Sequence, residues 1–149
     1  MKKQITKALL GFAMLFVLVA AASAQTARHI AVRIPFDFVA GEKHLPAGRY
    51  IVRRLTGDSE TTLLIRSEDG RGNAVVITSD SGVTPERAEL TFRRRGDKYF
   101  LAKVSLAGTA GVREVAESGA EKRLARELAR QAGAADAGDK TVTVAGSMR

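Results

Sequence analysis

The chain has no cysteine and no tryptophan, and only two histidines and three prolines among its 149 residues. Without cysteine there are no disulfides, no thiol nucleophile and no thiolate metal site, so the fold must be held by an apolar core. The two histidines, His29 and His44, have no metal-ligand partner at a useful spacing, and both are expected to be solvent-exposed. No nucleophile elbow, phosphate loop or zinc signature occurs, and no cofactor is expected. Acidic side chains are outnumbered, 16 against 24 lysines and arginines. Long apolar runs are also scarce. The single one, Ala8 to Ala22, spans fifteen residues, about 22 Å as a helix against the ~30 Å of a bilayer core.

That run has another use. Lys2, Lys3 and Lys7 precede it, and Ala22-Ser23-Ala24 follows, which is the order of a secretory signal cut after Ala24. No cysteine follows to accept a lipid, and the leader contains no twin-arginine pair. Residues 1–24 therefore read as a signal peptide, and the mature chain is expected in the periplasm or outside the cell, with no transmembrane segment after processing. The 125 remaining residues suit one domain. They carry 21 basic against 16 acidic side chains once the three leader lysines are gone, a mild excess compatible with anionic partners.

Most of the mature length alternates apolar and polar residues. Ile30, Val32, Ile34, Phe36 and Phe38 share one parity, with Arg33 and Asp37 on the other, as a half-buried strand requires. Pro35 lacks the N–H of a central strand, which places this strand at an edge or a bulge. Further strands are expected at Tyr50–Leu55, Thr61–Arg66, Ala74–Thr78, Ala88–Arg94 and Phe100–Leu106, where Phe100, Ala102, Val104 and Leu106 share a face. The intervening "TGDSE", "SEDGRGN", "SDSGVTPE" and "RGDK" are turn compositions. Six short strands with short connections predict a mainly β fold, a small antiparallel sandwich or barrel-like domain over Gln25–Ala116.

Between the first two strands, Pro46 suits the second position of a β-turn and Gly48 either its fourth position or a left-handed bulge. Asp37 and Glu42 have the residue types of a catalytic carboxylate pair, but an outward acid on a strand is ordinarily just solvated, and both read so. The stretch "SEDGRGN" lacks the spacing of a calcium loop.

The stretches "IPFDFVAGEKHLPAGRY", "LLIRSEDG", "RRRGDKYFLAKV" and "AEKRLARELA" give the chain a resemblance to a set of short exported bacterial proteins of uncharacterised function. It extends over most of Ile30 to Ala129. The resemblance implies a shared β domain with a trailing helix, and it brings no active site with it.

The period changes after the last strand. Ser118 and Glu121 have capping-box spacing, and Ala120, Leu124, Leu128 and Ala132 form a narrow apolar stripe, which predicts one helix over 117–132 docked on a sheet rim. Gly133 ends it. Residues 133–149 read as a mobile tail in which "TVTVA" adds a marginal strand at most.

Three function classes follow. The first expectation is a non-catalytic exported module, structural or binding, with another envelope protein or an anionic envelope polymer as partner. The second is a basic hairpin holding anionic polymer or lipid headgroups, with Arg93, Arg94, Arg95 and Lys98 crowded at the "RGDK" tip as the anion-binding residues. The third is an envelope hydrolase built on Asp or Glu. Nucleic acid is set aside, because export separates the protein from it and stacking aromatics are few.

Overall fold

The computed structural model describes residues 29–55, 61–107, 111–132 and 140–148. The expected leader, and with it the signal cleavage, lies outside the described residues. The chain forms β1 (Ile30–Ile34), β2 (Phe38–Ala40), β3 (Lys43–Leu45), β4 (Gly48–Arg54), β5 (Thr62–Ser67), β6 (Asn73–Asp80), β7 (Glu89–Arg95), β8 (Lys98–Ser105), β9 (Val112–Val115), helix α1 (Gly119–Ala132) and β10 (Lys140–Met148). Eight strands run in the order β8-β7-β10-β1-β4-β5-β6-β9, and β9 pairs back onto β8 at Lys103–Ser105, which closes a barrel. The β2–β3 hairpin lies on the other half of β8, with β2 parallel to it at Tyr99 and Phe100. The fold is thus mainly β with one helix, and of sandwich and barrel it is the barrel.

Alternation builds the interior. Ile30, Val32 and Ile34 of β1 are buried, as are Tyr50 and Val52 of β4, Leu63 and Ile65 of β5, Ala74 and Val76 of β6, and Leu90 and Phe92 of β7. An eight-stranded barrel is just wide enough for such side chains to fill it. Phe38 meets Tyr50 and Phe92 edge to face, with ring centroids 5.2 and 5.4 Å apart. Such pairs add a favourable quadrupole term to the area they bury.

Several expectations need correction. The strand from Ile30 does not continue to Phe38, nor is it an edge: β1 lies between β10 and β4 and stops at Ile34. Pro35 falls one residue past the pairing, where its missing N–H is not required. The tight turn is Gly41-Glu42 between β2 and β3, with Gly41 at φ 60°, whereas Gly48 has no positive φ and pairs with Ile34. Pro46-Ala47 instead links β3 to β4. Asp37 Oδ1 accepts the Ala47 N–H at 2.7 Å, and the Tyr50 hydroxyl donates to the Pro46 carbonyl at 2.6 Å. Asp37, read as merely solvated, fixes this connection.

The face expected for β8 is also divided. Phe92 pairs with Leu101 but Thr91 with Lys103, so Ala102 is an extra residue and the parity flips there. Leu101, Val104 and Leu106 join the main core, while Phe100 and Ala102 are buried outside it. The largest correction is the tail. Lys140–Met148 is a full strand inserted between β7 and β1. Its inward side chains are only Val142, Val144, Gly146 and Met148, too little apolar surface to announce a strand. What holds it is backbone pairing on both sides. Gly146 is needed there, because a Cβ would lie 2.5 Å from Ile30 Cγ2.

Candidate functional site

The β7–β8 hairpin separates the four expected anion-binding residues. Alternation sends Arg93 and Arg95 to the outer face and Arg94 to the face of Phe92. Above Arg93 lies the start of α1, and the two lock together. Arg93 Nε donates to Glu121 Oε1 at 2.6 Å and its Nη2 to Oε2 at 3.1 Å, a bidentate pair in which Glu121 is 2% exposed. Arg95 Nη2 reaches Glu117 Oε1 at 3.3 Å. Leu128 lies where a Cβ on Gly96 would meet it at 3.6 Å, so the helix also covers the turn of the hairpin. Ser118 caps the helix as its spacing predicts, its Oγ accepting the Glu121 N–H at 3.1 Å. The Glu121 carboxylate serves the barrel instead.

Arg94 and Lys98 remain at the solvent side. Arg94 Nε donates to the Gly96 carbonyl at 2.9 Å, and its guanidinium lies 5.7 Å from the Tyr99 ring, itself stacked on Phe36. The structure therefore does not gather four cations at one tip. Two of them fasten the helix.

Asp37 and Glu42 have separate tasks and form no catalytic pair, since Glu42 Oε1 accepts the Gly119 N–H at the start of α1, 3.0 Å away, and Asp37 holds Ala47. The titrations of Asp69, Glu114 and Tyr50 are displaced. A Ser67 hydroxyl bond and the Arg71 N–H hold Asp69 below the usual carboxylate range, and Lys103 does the same for Glu114. Burial pushes the Tyr50 hydroxyl up. Among the described residues no three of His, Cys, Asp and Glu come together as a metal site, and no helix is long and apolar enough to cross a membrane. An open cleft of about 470 Å³ lies between the β2–β3 turn, β6 and the start of α1, and its two acids, Glu42 and Glu117, are already engaged.

A second arginine cluster stands on the outer face of β1, β4 and β5. Arg33 lies directly opposite Arg49. Arg53 follows four residues along β4, on the same face, and Arg66 stands opposite Ile51, midway between Arg49 and Arg53. Adjacent strands are about 4.8 Å apart and same-face neighbours along a strand about 6.7 Å, so all four lie within two steps of Ile51. All four are exposed. Glu68 pairs with Arg49 at 3.7 Å, in a contact open to solvent. The sequence alone does not show this cluster. Each arginine is visible on the polar parity of its own strand, but the register that gathers three strands is not. Compared with known proteins, the chain matches no family model, no curated protein and no solved structure.

Proposed function

We propose that the chain is an exported, non-catalytic binding module that holds phosphate or carboxylate groups of the cell envelope on the arginine face of β1, β4 and β5. The observation that carries this reading is the register pair Arg33–Arg49. Like charges directly opposite each other on a sheet are destabilising, and an anion seated between them turns that repulsion into attraction. Arginine suits the task better than lysine, because its planar fork grips carboxylate and phosphate through two parallel bonds. Export rests on the leader pattern of residues 1–24, and the anionic polymers and headgroups of the envelope are the ligands that export would make available.

Such binding weakens with salt, since the Debye length falls from about 10 Å at 0.1 M to about 3 Å at 1 M. Wild type should be retained on a heparin-like resin at the lower salt and released at the higher. A variant with Arg33, Arg49, Arg53 and Arg66 all changed to Ser should pass through at both. The Arg94→Ala, Lys98→Ala variant should elute as wild type does. Equal retention of wild type and the four-site variant would remove the assignment to this face.

A further inference from the structure

The arginine face has an apolar continuation. Pairing of β4 with β5 runs one residue past Arg54, where the Leu55 N–H donates to the Thr62 carbonyl at 3.0 Å. Thr62 lies opposite Ile77, and Leu64 lies opposite both Arg53 and Val75. Beyond Arg53, the outer surface of β4–β5–β6 therefore presents Leu55, Leu64, Val75 and Ile77 as one patch, whose far side, Val75 and Ile77, also lines the open cleft that holds Glu42 and Glu117. Leu55, Val75 and Ile77 are 39%, 52% and 73% exposed, and they are three of the four large apolar side chains exposed among the described residues. Scattered apolar residues on a surface carry no meaning, but a contiguous patch beside a cation cluster does.

A dissolved polyanion would use the arginines and leave the patch wet. A bilayer surface offers partners to both halves, phosphate groups to the cations and the headgroup–acyl boundary to the apolar side chains. We infer that the barrel docks on anionic lipid surfaces through this face, with Arg33, Arg49, Arg53 and Arg66 on lipid phosphates and Leu55, Val75 and Ile77 in the boundary. The inference rests on the anion-binding reading above and names its partner. The attachment is peripheral and reversible. Three branched side chains are a small anchor, and it is the charges beside them that select anionic lipid.

Flotation of the exported protein with vesicles tests it, using phosphatidylcholine alone and phosphatidylcholine with roughly a third phosphatidylglycerol. Wild type should float with the mixed vesicles and stay down with the neutral ones. Each arginine removed should weaken the partition about fivefold. The Val75→Ser, Ile77→Ser variant should lose about tenfold in partition while keeping wild-type retention on the heparin-like resin; both positions are exposed, so its far-UV circular dichroism should be unchanged. Resin retention without flotation would overturn the lipid inference and leave the anion reading standing. Failure of both would overturn both. Flotation unaffected by the two serines would remove the apolar half and with it the inference. A concentration-dependent dimer that sediments as monomer after Ile77→Ser would assign the face to a second copy and overturn it as well.

Discussion

Glu121 shows how far a single position can depart from its local meaning. Its spacing from Ser118 belongs to a capping box, and the Ser118 half of that box is present. The carboxylate goes instead to Arg93, 28 residues earlier, a partner that only the docking of α1 on β7 brings near. Removing Glu121 takes the bidentate partner from Arg93 and leaves the more distant Glu117 carboxylate at 3.9 Å, so Glu121→Leu should destabilise the protein by about 3 kcal/mol, whereas Arg93→Met with Glu121→Leu should restore most of the loss. Thermal melts of the two single variants and the double variant check this. The displaced titrations give a sign to the pH dependence of stability. Asp69 and Glu114 have folded pKa values below their unfolded ones, so their contributions are present above the ordinary carboxylate range and are lost as pH falls through the folded values. Tyr50 is raised, so its contribution is full below its unfolded value of about 10 and is lost as pH rises through the folded one. Tyr50→Phe should flatten the alkaline limb of a pH–stability curve and leave the acid limb in place; an unchanged alkaline limb would mean that Tyr50 does not set it.

At the scale of elements, strands with their own apolar payload were legible. β5, with Leu63 and Ile65 inward, and β6, with Ala74 and Val76, appear within two residues of their expected bounds. Elements that depend on neighbours were not. β9 has only four residues, and β10 is defined by the two strands it lies between. The bulge at Ala102 put Phe100 and Val104, expected on one face, on opposite faces, because parity is a local rule that one extra residue resets. The candidate site divides the same way: the cations were readable, their assembly was not. Glycine substitutions separate turn from strand directly. Gly41→Val should cost about 1–2 kcal/mol for the left-handed backbone alone. Gly146→Val should cost about 1–3 kcal/mol through overpacking against Ile30. Gly48→Val should cost less than either, since its Cβ would make only an ordinary 3.6 Å contact with the Tyr50 ring. Denaturant melts giving Gly48→Val the largest loss would return the turn to "LPAG".

For the whole molecule, the decisive feature is that the last strand completes the wall beside the first. β1 pairs with β10 on one side and β4 on the other, while β10 also pairs with β7, so closure requires residues 140–148. A chain that emerges from its amino end cannot finish this barrel until residues 140–148 are available to pair with β1 and β7. Without β10, β1 and β7 would each present an unpaired edge, a hazard that closed barrels avoid. A chain ending at residue 139 should therefore show no cooperative thermal transition, and it should elute early from a sizing column as aggregate. The intact chain should refold in milliseconds to seconds, the range of β proteins whose pairings are distant in sequence. Adding a peptide of residues 140–149 to the freshly diluted fragment should restore a cooperative melt, because the missing strand contributes mainly backbone pairing that a separate chain can supply. A fragment that melts cooperatively as a monomer without the peptide would show that the barrel closes by β1–β7 contact, and that β10 is an addition to its wall and not a part of it.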